Sequence, residues 1–188
     1  MPDDESLVRQ ARAGDSAAFT SIYEIYFDRV YRYIAIRTSN RTDAEDLTEQ
    51  VFLRCVESIG GYKWRGAPFA AWLFRIAHNL LIDHHRKGKG RETVPLEDFM
   101  GVDETDPDEA VELKLDVERL RRAMPRLTEA QRQAIACRFI AELSIAETAQ
   151  AMGKSEGAVK ALQHSGLLAL RRIMTRPAGD TGTESNHG

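Results

Sequence analysis

Between Glu92 and Glu118 the chain carries eleven carboxylates against a single cation, Lys114, and Pro95, Gly101 and Pro107 interrupt it. Over residues 88–107 the apolar side chains keep neither a two-residue nor a 3.6-residue period, so the stretch offers no face to bury and reads as a connection. No other feature constrains the fold as much, because it cuts 188 residues into two blocks that would each be small domains. Fully extended, the 27 residues 92–118 would reach about 90 Å, enough for two domains to act at separated places.

The blocks on either side read as helices. Residues 5–13 form a short one, closed by Gly14. Phe19, Ile22, Tyr23, Tyr26, Val30, Tyr31 and Ile34 recur at spacings of three and four, with a break expected near Phe27-Asp28. Thr42-Asp43-Ala44-Glu45 has the form of a capping box, in which the threonine oxygen and the glutamate three residues on satisfy each other's free backbone donors. The helix it opens carries Leu47, Val51, Phe52, Cys55, Val56 and Ile59 on one side and stops at Gly60-Gly61. Pro68 suits the first turn of the next helix, which runs to about Arg86. Beyond the connection, a helix from about Asp108 to Met124 ends at Pro125. A second capping box, Thr128 with Gln131, opens a helix to about Ile140, and a third, Ser144 with Glu147, opens one to about Met152. Ser155 caps a last helix to about Thr175, and the polar residues 176–188 read as a disordered tail. No strand pattern is present. The expectation is an all-α protein: a helical domain over 1–91, an acidic linker over 92–118 that runs into the first helix of the next domain, and a second helical domain over 119–175.

The net charge of -3 conceals segregation. Residues 60–91 hold seven cations against Asp83 alone, and residues 119–188 hold eleven cations against six acids. Basic blocks suit polyanionic partners. In the first block Tyr62, Trp64, Phe69, Trp72 and Phe74 interleave with Lys63, Arg65 and Arg75. Rings stack on unpaired bases while cations follow phosphates, which is the composition of a single-strand surface; a core helix with a solvated basic end fits these residues equally well. In the second block, Ala149, Gly153, Val159 and Leu162 have helix-turn-helix spacing. Alanine allows close approach, glycine supplies the positive φ of the turn, and the last two pack the second helix on the first. The outward residues of that second helix, Ser155, Glu156, Lys160, Gln163 and His164, would meet base edges in the major groove, with Arg171 and Arg172 on phosphates.

Other classes are disfavoured. Cys55 and Cys137 are the only cysteines, with no CxxC pair, and no apolar run is long enough to span a bilayer. The segment Met1-Pro2-Asp3-Asp4-Glu5 lacks the regions of a signal peptide, so a cytoplasmic location is expected. His78, Asp83, His84 and His85 invite a metal reading, but His84 falls off the face shared by His78 and His85, and solvated or phosphate-facing histidines are the simpler account. There is no Walker motif and no nucleophile paired with a base. No enzymatic activity, metal or cofactor is assigned.

Three segments together resemble one family. They are Asp43 to Phe52 (DAEDLTEQVF), Phe69 to Asn79 (FAAWLFRIAHN), and Leu143 to Ala149 (LSIAETA) running on to Gly157-Ala158-Val159-Lys160. In this order, divided by a linker, they resemble the extracytoplasmic-function sigma factors of bacterial RNA polymerase, a match covering about residues 5–174. The resemblance implies that the acidic start of the third helix (Asp43, Glu45, Asp46, Glu49 and Gln50) docks on the clamp helices of the largest polymerase subunit. It implies that the loop 61–68 and the helix after it open and read the promoter -10 element, with Tyr62, Lys63, Trp64, Arg75, Asn79 and Arg86 as candidates while Trp72, Leu73 and Ile76 face the core. The helix-turn-helix would read the -35 element, the flap of the second-largest subunit would be a further partner, and an anti-sigma factor would hold the protein inactive. Ser165-Gly166 depart from the family's usual arginine and alanine, which removes a cation and places a poor helix former inside the recognition helix. Two further readings stay open: a two-domain transcriptional regulator that never docks on polymerase, and an acidic linker that mimics nucleic acid or repels template rather than merely spacing the domains.

Overall fold

The computed structural model describes residues 4–38, 40–63, 68–87 and 118–175, and every regular element among them is helical. They are α1 (Asp4–Arg12), α2 (Ser16–Ala35), α3 (Arg41–Ser58), α4 (Phe69–Lys87), α5 (118–123), α6 (Glu129–Ile135), α7 (Ile145–Met152) and α8 (Glu156–Thr175). Residues 92–117 of the linker expected over 92–118, with most of the helix expected from Asp108 to Met124, the tail 176–188 and Trp64 lie outside the described residues.

In the first group, α2 starts at Asp15, whose Oδ1 accepts from the amides of Ala17 and Ala18 at 2.9 and 3.3 Å. It does not break at Phe27-Asp28. The Phe27 ring instead joins Tyr23 (5.0 Å between centroids), Tyr31 (6.3 Å) and Phe52 of α3 (6.2 Å), and this aromatic packing carries the helix straight through. Helix α3 starts one residue before the expected threonine. The Asn40 Oδ1 accepts from the Asp43 amide at 2.8 Å, while Glu45 turns to Arg41 at 2.7 Å, so the box at Thr42 does not form. Asparagine is the stronger N-cap, and it sits where the Asp43 amide can be reached. Leu47, Val51, Phe52, Cys55 and Ile59 are buried as expected, but Val56 is 50% exposed. In α4, Phe69, Leu73, Phe74, Ala77 and Leu81 are buried, with Trp72 and Ile76 packed at the core's edge.

In the second group both capping boxes form. Thr128 and Gln131 exchange bonds of 3.3 and 3.2 Å, and Ser144 and Glu147 exchange bonds of 3.1 and 2.7 Å. The α6 chain path continues as a π-helical segment, Ala136–Ile140, closed by the Ala141 amide on the Ala136 carbonyl at 2.9 Å. Helix α7 ends on Gly153 at φ 63°, ψ 37°, with the Lys154 amide returning to the Ala149 carbonyl at 2.9 Å, the left-handed stop that the turn of the motif needs.

Gly166 proves to be a contact point. A Cβ built on it would stand 3.0 Å from Ile135 Cγ1, 3.3 Å from Cδ1 and 3.5 Å from Gln131 Cβ. Helix α8 thus lies so close to α6 that an alanine methyl would press on Ile135, and Ser165 beside it accepts from Gln131 Nε2 at 3.2 Å. The Ser165-Gly166 pair therefore faces α6, and the poor helix former has a packing reason.

The two groups do not stand apart. Buried apolar side chains form one continuous cluster from Val8 to Leu170, with α4 packed on α7 and α2 packed on the π-helical segment.

Candidate nucleic-acid interface

The exposed face of α4 follows from its spacing. With the core holding positions 70, 73, 74, 77 and 81, the residues Arg75, Asn79, Ile82 and Arg86 recur at four, three and four and stand together on the outside. Arg86 is 75% exposed and pairs loosely with Asp83 at 3.0 Å. Arg75 is exposed, and its guanidinium donates to the Gln150 carbonyl near the end of α7. Lys63, before this helix, is exposed.

Tyr62 is placed differently from expectation. Its side chain points inward, only 5% exposed, with the ring 5.0 Å from Trp72 and 5.9 Å from Phe69. Burial pushes its phenol up to about 12, with the carboxylates of Asp4 and Glu5 adding to the shift. It holds the root of the loop against α4 and offers no ring face outward.

The histidines are anchored rather than solvated. His78 Nδ1 lies 3.3 Å from Arg37 Nη1, and burial, then the nearby guanidinium, pulls its pKa down to about 4. A neutral ring can accept that bond, whereas an imidazolium cannot. His85 Nε2 donates to the Arg37 carbonyl at 3.0 Å, serving an oxygen beyond the end of α2, and burial lowers its pKa as well. His84 reaches Asp43 at 3.2 Å. Each ring has its own partner, and no cluster of three or more potential ligands that could hold a metal occurs among the described residues.

On α8, Ser155, Glu156, Lys160, His164, Arg171 and Arg172 are exposed, and the Ser155 hydroxyl accepts from the Ala158 amide at 3.2 Å, capping the helix. Gln163 is half-buried, and its Oε1 accepts from Arg138 Nε at 3.1 Å, so it braces the motif from behind.

On α3 the expected acidic row divides. Asp43 is held by Asn40 and His84, and Glu45 by Arg41. Asp46, Glu49 and Gln50 are exposed and continue along the same face into Leu53, 59% exposed, and Val56. By its spacing Val56 belongs with the core, and nothing in the sequence singles out Leu53. Their signal is an exposed apolar pair one and two turns beyond a row of acids. No helix of the described residues is long and apolar enough to cross a membrane.

Comparison with known proteins gives the frame for these surfaces. The family model for Sigma-70 region 2 matches residues 22–91, and that for Sigma-70, region 4 matches residues 123–172. The ECF RNA polymerase sigma factor BldN of Streptomyces coelicolor is 39% identical over 170 residues, 89% of this chain and 64% of BldN's own length. SigW of Bacillus subtilis, named in the same way, is 30% identical over 88% of this chain and 93% of its own length. Among solved structures, the sigma factor RpoE in complex with the anti-sigma factor NepR from Bartonella quintana shares the fold, with a TM-score of 0.66 over 83% of this chain and 96% of that one at 19% identity. An all-helical pair of units, a capped helix-turn-helix behind the second and a cationic helix face on the first thus coincide with two family models and near full-length relatives: the chain belongs to the sigma-70 family, among the ECF RNA polymerase sigma factors.

Proposed function

We propose that this sigma factor opens and reads its -10 element with the exposed face of α4 and the loop before it, using Lys63, Trp64, Arg75, Asn79 and Arg86, while Tyr62 supports the loop from inside. The carrying observation is the stripe of Arg75, Asn79, Ile82 and Arg86 on one outward face, which alternates groups for phosphates, base edges and apolar base surfaces. Because no nucleotide hydrolysis is available to drive opening, strand separation has to come from capture of unpaired bases. The N-terminal part of α8 (Ser155, Glu156, Lys160 and His164) reads the -35 element in the major groove, Arg171 and Arg172 hold phosphates, and Gln163 acts through Arg138. Asp46, Glu49 and Gln50 around Leu53 and Val56 dock on the clamp helices of the largest polymerase subunit, and α8 also meets the flap of the second-largest subunit. An anti-sigma factor controls the protein, as one binds RpoE in the structure of similar fold.

The test is transcription in vitro with core polymerase and genomic DNA, sequencing the starts to obtain both promoter elements. On the promoters found, Arg75→Ala with Asn79→Ala should lower promoter opening, read by permanganate reactivity of unpaired thymines, about tenfold or more, while binding to core polymerase is kept. Opening at the wild-type level would refute the assignment of α4.

A further inference from the structure

Asp4, at the start of α1, reaches across to α2. Its Oδ2 accepts from the Tyr26 hydroxyl at 2.5 Å, and Tyr26 is buried. A buried phenol needs such a partner, and a carboxylate is a strong one. The Tyr26 ring stands edge-on to Phe69 at 5.4 Å between centroids, with the Arg29 guanidinium 5.2 Å from its own centroid. Phe69 in turn meets Tyr62 edge-on at 5.9 Å and Trp72 at 5.6 Å. The rest of α1 supports the same place. Val8 and Ala11 are buried, and the helix packs on α4 and on the turn Ile59–Gly61, immediately before Tyr62. The carboxylates of Asp4 and Glu5 both lie near enough to the Tyr62 phenol to raise its pKa. Tyr62 and Phe69 stand at the two ends of the segment assigned above to promoter opening, so a chain of contacts from α1 sets how those ends are held.

We infer that α1 is a positioning element for promoter opening: through Asp4 and Tyr26 it holds the root formed by Tyr62 and Phe69 in the placement from which unpaired bases are captured. Asp4 and Tyr26 are positioning residues that act through this root and not on DNA. The inference rests on the assignment of the loop and α4 to the -10 element. Capture of a base competes with its stacking in the duplex, and any freedom left in the capturing segment subtracts from the gain. Fixing the two ends of a loop in advance removes part of that cost before DNA arrives. The tether is asymmetric. Tyr26 is buried and Asp4 is half-buried, so removing the carboxylate strands the hydroxyl, whereas removing the hydroxyl leaves a carboxylate that water can reach.

The experiment uses the full chain with core polymerase on the promoters mapped by transcription in vitro, and compares Asp4→Ala, Tyr26→Phe and the two combined. Urea unfolding of the free chain reads stability, copurification reads docking on core polymerase, and permanganate reactivity reads opening. Asp4→Ala should lower opening about tenfold, the bias that a hydrogen bond to a charged group usually carries, while core binding is kept. Its stability should fall as well, because a buried hydroxyl is stranded. Adding Tyr26→Phe removes that hydroxyl and should return most of the stability, yet opening should stay as low as in Asp4→Ala, because the tether is still missing. Tyr26→Phe alone should likewise lower opening. Opening that recovers together with stability overturns the inference, since Asp4 then serves the fold alone, and so does wild-type opening in Asp4→Ala. The pair Arg75→Ala with Asn79→Ala is measured alongside. If that pair lowers opening and Asp4→Ala does not, α1 loses its role while the α4 assignment stands; if neither lowers it, the assignment falls too.

Discussion

Replacing Gly166 with alanine sets two opposed effects against each other. In an exposed helix interior the change would stabilise by about 1 kcal/mol, because glycine has more backbone freedom to lose. Here the new methyl would meet Ile135 Cγ1 at 3.0 Å and Cδ1 at 3.3 Å, so that Ile135, itself 2% exposed, has to give way by a few tenths of an ångström. Overfilling a packed contact costs about 1–3 kcal/mol. The net expectation is a loss of about 1 kcal/mol in wild type. In an Ile135→Ala background the sign should reverse: that truncation costs about 2–5 kcal/mol by itself, and the added methyl then fills vacated space while keeping its helix preference. Urea unfolding followed by circular dichroism on the four proteins of the cycle should give a coupling of about 1–2 kcal/mol. If Gly166→Ala stabilises wild type by the full helix preference and the cycle is additive, α8 does not approach α6 as closely as described and the packing explanation for Gly166 fails.

His78, kept neutral by burial and by Arg37 just beyond the end of α2, takes up its proton only near pH 4, whereas an unfolded histidine does so near 6.5. The unfolded chain thus binds more protons between those values, so stability should fall as pH drops from about 6.5 toward 4, by roughly 1–2 kcal/mol after discounting partial exposure; a His78→Gln protein should lose that part of the slope in a urea titration. Burial pushes both thiols, Cys55 and Cys137, up to about 12, so Ellman's reagent should find almost no reactive thiol in the native chain and two after denaturation; rapid native reaction would contradict the buried placement. Changing Leu53 and Val56 to aspartate should leave thermal stability within about 0.5 kcal/mol, since both are exposed, and should weaken copurification with core polymerase; undiminished binding would remove this face from the docking surface.

The helices were legible wherever one local interaction decided them. At Thr128 and Ser144 the pattern of hydroxyl and acid or amide three residues on had no competitor, and both boxes form. At Thr42 the same pattern had a neighbour, Asn40, that reaches the Asp43 amide first. Gly153 was readable because a left-handed turn leaves few alternatives to glycine. What the sequence did not disclose depends on packing between distant segments. Tyr62 in a basic, aromatic loop reads as outward until Phe69 and Trp72 are seen to enclose it. Val56 falls at the edge of its helical stripe, where a single side chain's exposure is set by what α2 leaves uncovered. Gly166 looks like a flaw until α6 is beside it. Arg37, 92 residues from Glu129, carries no local mark that would single it out for burial.

A continuous apolar core from Val8 to Leu170 also fixes how the protein comes apart. Units that share buried surface melt together, because neither can lose its structure without exposing the other's seam; units joined only by a tether melt independently. A calorimetric scan of the wild-type chain should therefore show a single heat-absorption peak, although two family models divide its length. Cooperativity in this protein is then a property of the shared apolar seam rather than of either unit alone.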